Sequence, residues 1–367
     1  MKMAPTLARQ THQGFRNLGS LALALGLLGA CANPGGSEPD PQPAAEPLFQ
    51  VPAHFPAPVY DLSKNPLTKE GILLGRTLFY DGLLSRDGTI ACGECHRQDF
   101  AFTHHTHDVS HGIGDRMGTR NAPALQNLAW GSTFFHDGGV TDLDLLPLAP
   151  IENPVEMDEK IGNVLEKLRK SPKYPALFKA AYGRAANGSE EITTPKFLKA
   201  LSQFMVTLVS ANSRYDRYRR GEVQLDADEV AGLTVFKAKC ATCHAGELFT
   251  DGSFRNNGIG PGVFGDLGRE RVTEQYADRY KFQVPSLRNV SVSRPYMHDG
   301  RLPTLDAVLD HYARGVQDSP TLDPLLKQGG RLGIPLTNAE RKQLLAFLNT
   351  LNDSKFLTNP AFAEPTN

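Results

Sequence analysis

The sequence predicts a mainly α-helical protein built as two small domains related by internal duplication. Three observations carry this expectation. The motif C-x-x-C-H occurs twice, as Cys92-Gly93-Glu94-Cys95-His96 and as Cys240-Ala241-Thr242-Cys243-His244. The stretch from Pro123 to Gly138 aligns without gaps on Pro285 to Gly300, an offset of 162 residues that lays His136-Asp137-Gly138 on His298-Asp299-Gly300. Apolar residues also recur at helical spacing before and after each motif.

Taken in chain order, Lys2, Arg9 and Arg16 precede an apolar run from Leu18 to Ala30. That run has the length of an export signal's core and is short for a bilayer span. It ends in Leu28-Gly29-Ala30-Cys31, which resembles the lipobox of bacterial lipoproteins, where Cys31 would become the lipidated first residue. The alternative is a plain signal peptide with an incidental cysteine. Residues 31–58, crowded with Pro, Gly, Ala and Glu, read as an extended tether. Residues 1–30 are thus expected to direct export, to the periplasm of a Gram-negative cell, with the body held to a membrane by lipid.

A helix is expected from Thr68 onward, with Gly75, Leu78 and Phe79, ahead of the first motif. Its counterpart begins at Asp226, with Gly232, Val235 and Phe236, ahead of the second. Thr194-Pro195 opens an amphipathic helix bearing Leu198, Leu201, Phe204, Met205 and Leu208 on one face. Thr337 to Glu340 forms a capping box for another, with Leu344, Leu345, Leu348 and Leu351. The polar stretch Arg220 to Gln224 joins the halves, giving domains at 59–220 and 221–357 and a tail at 358–367.

The chemistry of the motifs is specific. Two thiols one helical turn apart add across the vinyl groups of a porphyrin, and the next residue carries an imidazole under the ring to bind iron. A zinc site or redox dithiol would explain one C-x-x-C. Neither requires histidine after each pair, nor two copies in an exported chain. Two covalently bound haem c groups, each in a cytochrome c-type domain, are therefore expected. With Cys31 lipidated, all five cysteines are assigned. The 39 basic and 40 acidic side chains nearly cancel, which removes the field a nucleic-acid binder relies on. At 40% hydrophobic and 22% charged, the chain can bury real cores.

Besides both haem motifs, Arg120-Asn121-Ala122-Pro123, Asn153-Pro154-Val155-Glu156-Met157 and Tyr296-Met297-His298-Asp299-Gly300 carry a resemblance to bacterial diheme cytochrome c peroxidases and their MauG-type relatives, over about residues 60–355. The resemblance implies an amino-terminal haem where hydrogen peroxide reacts and a carboxy-terminal haem that delivers or stores electrons. It also implies a small periplasmic cytochrome or cupredoxin as electron donor, and association into a homodimer.

Duplication allows equivalent places to be compared. Fourteen residues beyond each His-Asp-Gly stands Tyr312 in the second copy and Pro150 in the first. Proline offers iron nothing, whereas phenolate is an axial haem ligand. The comparison predicts a closed haem between His244 and Tyr312 and an open one on His96, with Pro150 walling its pocket. The alternatives at the second haem are a packed tyrosine, with Met297 or His311 as ligand. Family peroxidases carry methionine at the Tyr312 position and MauG-like members carry tyrosine, so the resemblance leaves two activities open: peroxide reduction with an electron donor, or MauG-like oxidation of a protein or small molecule through a high-valent diheme state. A non-enzymatic diheme carrier is a third, in which Pro150 and Glu156 would lack a purpose.

Cleaving peroxide needs one group to take a proton from one oxygen and return it to the departing one. The resemblance gives that role to Glu156, whose alternative is a surface acid in the run Glu152 to Glu159. His104, His105, His107 and His111 crowd one loop, and the resemblance matches His111 to a histidine that gates the open iron in some peroxidases. Solvated loop histidines, or adventitious metal ligands, are the alternatives. His136 and His298 read as ligands or as elements of a repeated turn. His136 stands where relatives usually have tryptophan, Trp130 reads as core, and Leu146 replaces a glutamine common in the distal pocket. The resemblance further implies a calcium site from the Asn121 side chain and the carbonyls of Ser293 and Pro295.

Overall fold

The computed structural model describes residues 47–104, 107–184 and 191–366. The expected export signal, Cys31, the tether up to residue 46, and His105 lie outside the described residues.

Helices supply most of the regular structure. In order they are α1 (Lys69–Phe79), α2 (Cys92–Cys95), α3 (Leu148–Glu152), α4 (Ile161–Lys170), α5 (Tyr174–Tyr182), α6 (Thr194–Thr207), α7 (Arg214–Arg219), α8 (Ala227–Lys239), α9 (Glu270–Thr273), α10 (Leu305–Asp310), α11 (Asn338–Asn349) and α12 (Ser354–Thr358). Two antiparallel pairs of two-residue strands, β1 (Phe254–Arg255) with β2 (Phe282–Gln283) and β3 (Lys327–Gln328) with β4 (Arg331–Leu332), are the only sheet among the described residues.

The caps form where the side chains dictate them. The Thr68 hydroxyl accepts from the Gly71 N–H at 2.9 Å to start α1. Asp226 with Glu229, and Thr337 with Glu340, close reciprocal capping boxes on α8 and α11. Thr193 rather than Thr194 is the residue before α6, and Leu208 and Leu351 lie just past their helices, fully buried.

Among the described residues two large apolar cores result, beside a small cluster of Val316, Leu322 and Leu326. One gathers Leu74, Leu78, Phe79, Phe102, Phe197, Leu201 and Phe204 around α1 and α6. The other gathers Leu233, Phe236, Phe249, Leu344, Phe347 and Leu348 around α8 and α11. Each such side chain contributes about 1.5–3 kcal/mol by leaving water. Both helix pairs touch at a glycine. A Cβ on Gly75 would strike the Ala200 carbonyl and sit 3.0 Å from the Phe204 Cβ, and one on Gly232 would strike the Gln343 carbonyl and sit 2.8 Å from the Phe347 Cβ. Other aligned positions share backbone form: Asn127 and Asn289, and Phe135 and Met297, all have positive φ, and the bridge Phe134 to Val140 matches Tyr296 to Leu302.

Two segments depart from expectation. The last part of the tether, from residue 47, packs on the body. Phe49 and Phe55 lie 5.7 and 5.1 Å from the Trp130 ring, whose Nε1–H donates to the Pro56 carbonyl at 2.8 Å. Three aromatic rings in so short a space bury enough apolar surface to overcome the flexibility that the Pro-rich composition implied. At the other end, Phe356 and Phe362 complete the first core rather than the second. Arg76 holds the tail there, donating to the Pro360 carbonyl at 2.8 Å, and Gln98 donates to the Phe356 and Asn359 carbonyls at 3.0 and 2.9 Å.

Arg288 is wholly buried and forks onto Asp216 with two bonds of 2.9 Å, its guanidinium lying 4.5 Å from the Phe55 ring. Asp216 also caps α7 through Ser213, and His54 reaches its other oxygen at 2.9 Å. This cluster ties residues 54–55, α7 and the segment before His298 into one unit.

Candidate active site

Both C-x-x-C-H motifs open into one cavity of about 1000 Å³. Its walls include Cys92, Cys95 and His96 from the first motif, Cys240 and His244 from the second, and Leu146, Pro150, Glu156, His111, Met297 and Tyr312.

The first motif forms α2, one turn, so Cys92 and Cys95 share a face and His96 leaves the helix directly. The His96 Nδ1–H donates to the Phe102 carbonyl at 2.8 Å, and His244 Nδ1 lies 3.2 Å from both the Phe249 and Pro285 carbonyls. Fixing Nδ1 in this way orients a ligating imidazole and leaves Nε2 for iron. Burial holds His96 neutral, down to about 4, against the opposing Phe102 bond, and lowers His244 likewise. Burial pushes the thiols of Cys92, Cys95 and Cys240 up to about 12, 11 and 11. Reactive redox dithiols show the opposite shift, which argues against that reading of the pairs. Four thiols, two pinned imidazoles and a large apolar-walled cavity fit two haem c groups.

Around His96, α3 carries Pro150 into the wall, and the turn that follows α3 brings Glu156 close enough to act electrostatically on both Cys92 and Cys95. Burial raises the Glu156 pKa, with Asn153 opposing it. A carboxyl held in this way can both accept and return a proton. The His111 carbonyl accepts from the Cys95 thiol at 3.7 Å, and Ile113 N–H donates to the Glu156 carbonyl at 2.8 Å, so the histidine loop is tied to the same pocket. The rings of His104, His107 and His111 stack in series, with centroids 5.1 and 3.9 Å apart. Among the described residues, no three His, Cys, Asp or Glu side chains converge to hold a metal ion.

Tyr312 lies in the π-helical turn His311–Gly315 after α10, a distortion common at functional sites. Burial raises its pKa, with the nearby Cys240 and Cys243 adding to the rise and the Asn257 side chain opposing it. Met297 lines the same cavity. His311 points elsewhere, its Nε2 bonded to the Asn257 carbonyl at 3.0 Å.

Between the motifs, His136 Nε2–H donates to the Asn121 carbonyl at 3.0 Å, and His298 stacks flat on Phe282 at 3.9 Å. Arg120 bridges Asp137 and Asp266, both at 2.6 Å. Trp130 is a core residue, packed under residues 49–56. The Asn121 Nδ2 donates to the Pro295 carbonyl at 2.7 Å, and its buried Oδ1 lacks a partner. Rotating that amide by half a turn would set two oxygens side by side, a pair that suits calcium.

Sequence reasoning missed Asn257 and Phe282. Asn257-Gly258 reads only as a turn, and a lone phenylalanine in an irregular stretch carries no motif.

The family model for di-haem cytochrome c peroxidase matches residues 69–224. Methylamine utilization protein MauG of Methylorubrum extorquens is 37% identical over 310 residues, covering 83% of each chain. The chain belongs to the diheme cytochrome c peroxidase and MauG family. Cytochrome c peroxidase Ccp of Escherichia coli is 32% identical over 312 residues, covering 82% of this chain and 62% of that one. The crystal structure of a MauG-like protein associated with microbial copper homeostasis superimposes with a TM-score of 0.77 at 32% identity, over 86% of this chain and 99% of that one. The diheme peroxidase BthA of Burkholderia thailandensis shares the fold, with a TM-score of 0.71 at 20% identity. This member of the family is accordingly a peroxidase-like oxidoreductase, and membership carries two covalently bound haem c groups.

Proposed function

We propose that the protein reduces hydrogen peroxide to water at the His96 haem, with the His244 haem supplying electrons. Haem iron, when bound, supplies the peroxide-binding centre and the electron path. Glu156 takes a proton from one peroxide oxygen and returns it to the other as their bond breaks. With two electrons and two further protons, one peroxide yields two waters. Pro150 offers no ligand and keeps the peroxide face open, and His111 stands at the same pocket as a gate. One observation carries this reading: the wall beside the His96 motif combines a proline with a half-buried carboxyl, while the wall beside the His244 motif holds a phenol.

Around this core stand the finer parts of the reading. Residues 59–220 and 221–357 are two haem domains of duplicated origin, which the shared glycine contacts and backbone forms support. The chain is exported to the periplasm and lipidated on Cys31. Electrons come from a small cytochrome c or cupredoxin, calcium binds at Asn121, Ser293 and Pro295, and two chains associate. Among the described residues no helix is long and apolar enough to cross a membrane.

Tyr312 favours a second reading, MauG-like oxidation of a protein or small molecule, because an anionic oxygen ligand stabilises ferric iron. Steady-state turnover of peroxide with a reduced small cytochrome decides between them. Brisk turnover supports the peroxidase. Absent turnover with a long-lived oxidised form supports the oxidase, and two six-coordinate haems inert to peroxide would leave only an electron carrier.

A further inference from the structure

The carbonyl that holds His96 is presented by a strained loop. Residues 97–103 close on themselves, the Arg97 N–H donating to the Thr103 carbonyl at 3.1 Å and the Phe102 N–H to the Arg97 carbonyl at 2.7 Å. Within the loop Ala101 and Phe102 have φ of 58° and 60°, a conformation that residues other than glycine keep only where surrounding contacts hold it. Phe102 is fully buried, and its ring packs on Phe79 at 6.0 Å and on Phe356 at 5.7 Å. Gln98, two residues past His96, donates to the Phe356 and Asn359 carbonyls at 3.0 and 2.9 Å. Phe356 belongs to the segment that leaves α11 and joins the first core. Asp353, at its start, accepts from the Ala211 and Asn212 N–H groups at 3.0 and 2.8 Å, and the Tyr80 hydroxyl donates to the Phe362 carbonyl at 2.7 Å. At the second motif Phe249, with φ of 54°, offers its carbonyl to His244 at 3.2 Å instead of 2.8 Å, and Tyr215, Phe236 and Phe347 pack on its ring inside the second core.

We propose that residues 353–362 are a strap that sets the proximal hydrogen bond of the His96 haem, with Gln98 and Phe356 as positioning residues that act through Phe102. The inference rests on His96 binding the iron at which peroxide reacts. A carbonyl pressed onto Nδ1–H makes the imidazole more basic, which strengthens its bond to iron and stabilises the ferric state. Releasing the strap lets the loop relax and lengthens that hydrogen bond. The potential of the His96 haem then rises, and the His244 haem stays as it was.

The test uses the haem-loaded full chain, with haem content and far-ultraviolet circular dichroism as folding controls. The iron–histidine stretching band in the resonance Raman spectrum of the ferrous protein reads the proximal bond directly. Gln98 is half-buried and outside the apolar core, so Gln98→Ala leaves the packing in place. Its band is expected to move to lower frequency, and further in Gln98→Ala with Phe356→Leu. In the double variant the ratio of reduced to oxidised His96 haem at fixed ambient potential is expected to rise about tenfold, equal to about 59 mV for one electron. If band and potential stay unmoved in both variants, the loop holds its carbonyl unaided and the inference is overturned while the peroxide reading stands. Equal shifts at both haems would overturn it too, since general loosening would then be the cause. A ferrous wild-type protein without an iron–histidine band would overturn the open His96 haem and the inference with it.

Discussion

Gly112 and Glu156 are in backbone contact: a Cβ added to Gly112 would sit 2.5 Å from the Glu156 Cα, closer than real atoms come. The Ile113 N–H adds a bond of 2.8 Å to the Glu156 carbonyl. The histidine loop and Glu156, the proposed acid–base residue, are therefore held against each other by backbone contact. Gly112→Ala must displace one against the other, and a shift of about 1 Å at a catalytic group can cost about 100-fold. Peroxide turnover of that variant should fall to that extent with both haems retained, as measured by stopped-flow absorbance.

Glu156→Gln keeps the shape of the side chain and removes its proton exchange. Turnover should drop by about 10²–10⁴-fold, the usual contribution of a positioned acid–base group. Burial raises the carboxyl above the ordinary value of about 4.3. The proton-accepting form is thus lost earlier as pH falls, and kcat/KM should decline through an acid limb above that value. A Gln variant with the limb intact would assign it to another group.

Asp216 is buried with Arg288 and His54. Burial alone would raise its pKa, but the two Arg288 bonds and the adjacent charge hold it down to about 2. A depressed folded-state value stabilises the protein above the unfolded value of about 3.9, and the benefit, about 2–3 kcal/mol, is lost as pH falls toward 2. Asp216→Asn would strand a buried guanidinium at a cost of about 3–5 kcal/mol. Urea denaturation at pH 7 should show that loss, and the variant's stability should depend less on pH between about 4 and 2.

Chelation tests the Asn121 site. The unpartnered Oδ1 and the adjacent Pro295 carbonyl predict that EGTA lowers peroxide turnover and that added calcium restores it. Asn121→Ala should be slow at the outset and insensitive to EGTA. Equal sensitivity in both proteins would place the calcium elsewhere.

The sequence by itself determined whatever depends on neighbours along the chain. Two thiols and an imidazole within five residues, a capping box over four, and a helix face repeating every three or four are local facts, so the haem attachments and the caps of α1, α8 and α11 were legible. The contrast between Pro150 and Tyr312 is also readable from the sequence, because the two stretches ending in His-Asp-Gly align and supply an internal reference. The tertiary structure alone decided the rest. Asn257 meets Met297 across 40 residues, Arg288 meets Asp216 across 72, and residues 49–56 close over Trp130 across more than 70. Such contacts form because the folded cores bring distant segments together and exclude water between them, and a polar or aromatic residue in an irregular stretch carries no periodicity that announces its partner.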